Sequence, residues 1–259
     1  MPFAPGDIQT GNGTLPARPF GMILCGSRRS GKTNLVMYML KREGLLRGQF
    51  EEIYLMSKSC HQPMVQQVQW TGTKDTFDEG WIQKMIDSQD KDMKRTGMAK
   101  EILIILDDCV ACEGFHKSKV ILDLAATGRH FRISWIILTQ TLRGVGKATR
   151  DNTDGMCCWA MDNQVNMYTM YVEFSMKGSW HTFRKVFLMA TDEDHSFLYV
   201  NKTNRKQPFH KNFDPITITA RAGREQEAMD EGEVVDKGSI TGIKRKADEV
   251  IDSTDSDSD

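Results

Sequence analysis

An α/β fold, with a mostly parallel sheet covered by helices on both faces, is what the sequence predicts, and three observations predict it. The first is Gly26-Ser-Arg-Arg-Ser-Gly-Lys-Thr33, which fills every fixed position of G-x-x-x-x-G-K-[ST] between an apolar run and a helical one. The second is the apolar stretch 101–108, which ends in two carboxylates, Asp107 and Asp108. The third is the alternation of short apolar runs with stretches of helical period, the pattern of parallel strands joined by crossover helices. Together they predict a P-loop NTPase domain over 20–203, an extended arm over 1–19, and a C-terminal extension over 204–259 that is disordered from about 220.

Taken in order, the arm holds Pro2, Pro5, Pro16 and Pro19 with Gly6, Gly11 and Gly13, which disfavours both helix and strand. Residues 21–25 form the first strand, and 32–41 a helix whose Leu35, Val36, Tyr38, Met39 and Leu40 pack on the sheet. A second strand, 53–56, is apolar on both faces and therefore buried. Trp81, Ile82, Met85 and Ile86 place a helix over 78–88, with a charged turn at 90–95. After the 101–108 strand come a helix around 119–126, a fourth strand at 133–138 ending in Thr139 and Gln140, and a fifth at 156–160. A helix near 163–174 follows. Residues 186–189 and 197–200 are expected to pair as a hairpin across the acidic turn 192–194.

The bulk properties are those of a soluble globular protein. With 39% hydrophobic and 27% charged residues, 259 residues suffice for one domain with appendages. A net charge of −1 conceals an acidic end (Asp248, Glu249, Asp252, Asp255, Asp257, Asp259), so the part before it is more basic and favours an anionic partner. There is no leader pattern and no apolar run of membrane-spanning length, which predicts an intracellular, soluble protein. Six cysteines without a framework spacing suit a reducing compartment. Lys244, Arg245 and Lys246 form a basic cluster readable as a nuclear-import signal or as solvated charge.

The chemistry follows from residue types at these positions. Gly26, Ser27, Arg28, Arg29, Ser30 and Gly31 form a loop whose backbone N–H groups can surround phosphate at a helix N-terminus. Lys32 adds a point charge for the β- and γ-phosphates of ATP, and Thr33 a hydroxyl for Mg²⁺. Asp107, at a strand tip, suits the metal shell, and Asp108 the orientation or deprotonation of the attacking water. Gln140 ends another buried strand, where an amide can sense the γ-phosphate. Arg129, Arg132, Arg143 and Arg150 surround that strand, and one or two of them can act on the phosphoryl group from a neighbouring subunit. Cys109, Cys112 and His116 have ligand-like spacing, but a closed zinc site needs four ligands and no second C-x-x-C exists.

Gly26 to Thr33, the strand ending Asp107-Asp108, Gly128-Arg-His leading into the strand that ends Thr139-Gln140, and Arg150-Asp-Asn152 resemble the genome-packaging ATPases of large DNA viruses, the poxvirus-type branch of the FtsK–HerA superfamily. The resemblance covers about residues 18–200. It implies an additional-strand sheet, with the Gln140 strand between the phosphate-loop strand and the Asp107 strand. It also implies a homo-oligomeric ring, hexameric or similar, that hydrolyses ATP with Mg²⁺ to drive double-stranded DNA into a capsid. Capsid or portal-vertex proteins are then partners, and the site of viral assembly, cytoplasm or nucleus, the location. Carried over, Lys32 and Thr33 bind phosphate and Mg²⁺, Asp107 supports the metal, Asp108 handles the water, Gln140 is the sensor, and Arg129 and Arg150 are candidates to act in trans. Asp108 stands where many relatives carry Glu.

Three other readings fit less well. A GTPase would need Asp where Asn204 ends Asn201-Lys-Thr-Asn204, and no D-x-x-G occurs. A small-molecule kinase has no evident use for the Gln-ended strand. Another FtsK/HerA-like DNA pump shares the same phosphate chemistry and is the nearest alternative.

Overall fold

The structure, a computed structural model, describes residues 14–161, 164–175 and 179–217. The first part of the arm, the Lys244–Lys246 cluster and the acidic end lie outside the described residues. In chain order the elements are β1 (Gly21–Cys25), α1 (Lys32–Lys41), β2 (Glu52–Ser57), α2 (Pro63–Gln66), β3 (Gly72–Lys74), α3 (Glu79–Thr96), β4 (Ile102–Asp107), α4 (Lys119–Thr127), β5 (Ile133–Thr139), α5 (Lys147–Asp151), β6 (Gly155–Trp159), α6 (Gln164–Phe174), α7 (Trp180–Ala190), β7 (Phe197–Asn201), β8 (Phe209–Lys211) and β9 (Asp214–Pro215).

Among the described residues the strands form one sheet in the order β3-β2-β4-β5-β1-β6-β7-β8-β9. It is parallel from β3 through β6 and antiparallel from β6 onward. β5 lies between β1 and β4, with Cys25 opposite Thr139 and Asp107 opposite Leu138, so the phosphate loop, Asp107 and Gln140 leave the sheet at one edge. β1, β4 and β5 are buried at every position because both faces are covered. Successive residues divide between two cores: Ile23 and Cys25 join Ile82, Leu124 and Phe187 on one face, while Met22 and Leu24 join Leu35, Val36 and Met39 on the other.

Three elements depart from the sequence expectation. Residues 186–189 are not a strand: α7 buries Phe183, Val186, Phe187 and Ala190 on one face, a helical period. The Ser179 side chain caps α7 by accepting from the Thr182 N–H. The partners of β7 are instead β6 and β8. The charged segment 90–95 is not a turn either, because α3 runs through it. Its charges pair along the exposed face, Lys94 with Asp90 and Arg95 with Asp92, and the helix stops at Gly97, whose φ of 70° suits glycine. Finally, β3 pairs in parallel with β2 although its Gly-Thr-Lys carries no apolar signal.

The sheet also continues past residue 203. β8 and β9 add buried Phe209 and lead to buried Phe213. The end of the arm is attached as well: Leu15 packs against the core, and the Thr14 carbonyl accepts from Asn201 Nδ2 at 3.1 Å.

Candidate active site

The loop after β1 is fixed at its start, where the Gly26 N–H donates to the Thr139 carbonyl at 3.1 Å. It turns twice through left-handed backbone, at Arg29 (φ 65°) and at Gly31 (φ 103°), which is the N-cap of α1. No side chain caps α1 and its first turn carries no acid, so its free N–H groups and positive end face the loop. A Cβ at Gly26 would stand 2.7 Å from Ser30 Oγ and 3.0 Å from the Trp159 Cβ, so a side chain there would push on the loop and on the neighbouring strand.

Lys32 is buried, and its Nζ donates to the carbonyls of Gly26 at 2.8 Å and Ser27 at 2.9 Å. Burial lowers its pKa from the usual lysine value, opposed by the charges of Asp108 and Asp107. Thr33 Oγ1 donates to Asp107 Oδ2 at 3.1 Å, which joins the first turn of α1 to the tip of β4. Ser57, at the end of β2 and in register with Asp107, donates to the same oxygen at 3.2 Å. Burial, and then the adjacent Asp108 charge, push the Asp107 carboxyl above the usual carboxylate range. A bound cation would reverse that shift. Thr33 and Asp107 offer hard oxygen ligands, which suit Mg²⁺ completed by phosphate oxygens and water. Among the described residues no three His, Cys, Asp or Glu side chains form a metal-holding group.

Asp108 is exposed and left-handed, with φ 54° and ψ 19°, and its N–H donates to the Leu138 carbonyl at 3.3 Å. That reversal turns its carboxylate away from the buried position of Asp107. Gln140 is exposed one residue beyond β5, between the chain attachments of Gly26 and Asp108.

The arginines separate sharply. Arg129 pairs with Asp154 at 2.8 Å, and the other Asp154 oxygen accepts from the Gly21 N–H. Gly21 begins β1, so Arg129 stands at the sheet edge opposite the phosphate loop. Arg150 grips both Glu173 oxygens at 2.8 Å and also donates to the carbonyls of Leu142 and Val145; its side chain is 11% exposed. Such a group is committed within its own chain, contrary to the expectation that it reaches a neighbour. Arg132 pairs with Glu101. Arg143, by contrast, is exposed and has no ion-pair partner among the described residues. It sits in the one-turn helix Leu142–Gly144, two residues past Thr141, whose side chain accepts from the Gly144 N–H. Sequence reasoning missed Ser57, and a serine directly after an apolar strand was its only signal.

A sequence profile of the Poxvirus A32 protein matches residues 10–201. The chain belongs to the Poxvirus A32 protein family. Protein 075L of Invertebrate iridescent virus 6 is 22% identical over 188 residues, 70% of each chain. Protein L437 of Acanthamoeba polyphaga mimivirus is 30% identical over 128 residues, 48% of this chain and 44% of its own. Both are described only as uncharacterized. The fold is similar to that of the genome packaging NTPase B204 from Sulfolobus turreted icosahedral virus 2 in complex with ATP-gammaS. That similarity has a TM-score of 0.55 at 13% identity and covers 76% of this chain and 100% of the other. The pCW3 conjugation coupling protein TcpA is similar at a TM-score of 0.51 and 13% identity, over 77% of this chain and 59% of its own. The A32-family chain thus carries a P-loop NTPase fold with β5 inserted as the additional strand.

Proposed function

We propose that this A32-family protein is an ATP-hydrolysing motor that translocates double-stranded DNA into a viral capsid. The observation that carries the reading is the hydrogen bond between Thr33 and Asp107, which joins the phosphate loop to a buried carboxylate across the inserted strand. Family membership and the fold of B204, named as a genome packaging NTPase, support it.

In this reading the N–H groups of residues 26–33 hold the phosphates, and Lys32 leaves the loop carbonyls to lie along the β- and γ-oxygens. Thr33 and Asp107 hold Mg²⁺, which when bound offsets phosphate charge. Asp108, exposed at the tip, orients the attacking water and accepts its proton. Gln140 hydrogen-bonds the γ-phosphate or that water and passes its loss to β5. Arg143 takes the trans role first sought in Arg129 and Arg150, because it is the uncommitted guanidinium of the four and stands at the correct edge. The assembly is a ring, six subunits or a similar number, working at a site of viral assembly with capsid or portal-vertex proteins.

ATPase rate with and without double-stranded DNA, measured together with oligomeric mass, tests this. DNA stimulation that falls with added salt is expected, since phosphate contacts release counterions. A monomer indifferent to DNA would overturn the motor. The fold of TcpA favours a second reading, DNA transfer between cells; stimulation by DNA but not by empty capsids would select it.

A further inference from the structure

The segment Asn201-Lys-Thr-Asn204, which fails as a guanine-reading motif, folds the turn between β7 and β8. Asn201 is 1% exposed, and its Oδ1 accepts from the Thr203 N–H at 3.0 Å, the Thr203 hydroxyl at 2.6 Å and the Asn204 N–H at 3.3 Å. Asn204 Oδ1 accepts in turn from the Gln207 N–H at 3.2 Å, and Gln207 Nε2 donates to the Ile216 carbonyl at 2.7 Å. These side-chain bonds hold the backbone of 201–207 in one shape. Because Asn201 stands opposite Gly155, at the start of β6, the turn lies at the sheet edge remote from the phosphate loop.

What the turn presents is positive charge. Arg205 and Lys206 are exposed and have no ion-pair partner among the described residues. Lys202 is half-buried, with its Nζ 5.0 Å from the centre of the Phe174 ring and donating to the Asp151 carbonyl at 3.3 Å. Burial lowers its pKa, opposed by the charges of Asp151, Asp154 and Glu173. Each of those carboxylates is already paired, Asp151 with Lys147, Asp154 with Arg129 and Glu173 with Arg150. The edge therefore keeps Lys202, Arg205 and Lys206 as uncompensated cations on a fixed turn, which raises the local potential for an anion.

The chemistry that fits is a phosphodiester backbone, whose oxygens accept from Arg and Lys. Asn204 and Gln207 each commit one end of the amide within the turn, and the bidentate contact that reads adenine needs both ends. We propose that the turn 202–207, through Lys202, Arg205 and Lys206, is a contact surface for the phosphate backbone of duplex DNA, an inference that rests on the motor reading above. Binding there is independent of base sequence. At its other end β7 follows His195, whose Nδ1 lies 3.2 Å from the Ser30 carbonyl, so a single five-residue strand joins this turn to the phosphate loop.

The test is fluorescence anisotropy of the full chain with a labelled duplex across a salt series, beside ATPase rates with and without that duplex. The double variant Arg205→Gln/Lys206→Gln is expected to bind the duplex at least about tenfold more weakly at about 0.1 M salt, and the slope of log affinity against log salt should shrink by about 1.8. Its ATPase rate without DNA should stay within about twofold of wild type, because the turn is remote from the nucleotide edge, while stimulation by DNA is lost. Arg205→Lys/Lys206→Arg, which keeps the charge, should retain affinity within about threefold. Lys84→Gln/Lys91→Gln on α3, which removes the same charge elsewhere, should cost less than about threefold. An unchanged salt slope overturns the proposal, as does an equal loss from the α3 double variant, or a loss seen with a single strand of the same length while the duplex is spared. If wild type binds no duplex at all, the motor reading fails and the turn with it. Wild-type binding that the Arg205→Gln/Lys206→Gln variant matches leaves the motor standing and removes the turn.

Discussion

Asp107 and Asp108 are adjacent in sequence and opposite in environment, the first buried against Thr33 and Ser57, the second exposed in a left-handed turn. The proposed division of roles rests on that difference, because a buried carboxylate with hydroxyl donors is held still for a metal while an exposed one can exchange a proton. Asp108→Asn keeps the backbone shape and is expected to bind ATP within about threefold of wild type while turnover falls about 100-fold or more; the check is binding and single-turnover hydrolysis side by side. For Asp107 the sign follows from its raised pKa: the native state holds the proton more tightly than the unfolded chain, so stability is lost as pH rises above the unfolded value through the native one. Asp107→Asn is therefore expected to raise the melting temperature at neutral pH by about 2–4 °C without ligand, and to abolish the further rise that Mg²⁺ and ATP give the wild type. The arginines give a paired prediction. Arg150→Ala leaves Glu173, with its side chain 13% exposed, without its partner, and is expected to cost about 3 kcal/mol in urea unfolding. Arg143→Ala should cost under about 0.5 kcal/mol, as exposed substitutions do, and lower ATPase only in the assembled ring.

At the scale of elements, what was legible depended on whether the signal was local. β1, α1, β4 and β5 combine an unbroken apolar or helical pattern with a fixed motif, and the structure has them where the pattern places them. α7 was misread because Val186-Phe-Leu-Met189 is four apolar residues long, too short to distinguish period 2 from period 3.6; the decisive residues were Phe183 and Ala190 on either side. α3 was cut short because its last two turns contain no apolar face. Their stability comes from the preceding turns that bury Ile82, Met85 and Ile86, and from capping: Asp78 accepts from the Trp81 N–H at 2.9 Å. Asp78→Ala is expected to cost about 1 kcal/mol in chemical denaturation, whereas removing Lys94 from its exposed pair with Asp90 should cost a few tenths.

Across the whole molecule, the nucleotide edge of the sheet is assembled from segments far apart in sequence, and its far side is closed by β7, β8 and β9. A chain ended at residue 203 loses β8 and leaves the fully buried β7 with an open edge, so it is expected to be insoluble, while one ended at 217 keeps Phe209 and Phe213 in place; soluble yield and far-UV circular dichroism compare the two. The amino-acid sequence by itself determined the phosphate loop, the Asp107-Asp108 tip and the parallel α/β class, because each is written in contiguous residues whose backbone and side-chain requirements are local. The ion pairs that occupy Arg129, Arg132 and Arg150 but not Arg143, and the Ser57 hydrogen bond to Asp107, were decided only by tertiary structure. Each depends on which distant segment arrives at the loop, and on which charges are already neutralised when it does; sequence spacing carries neither.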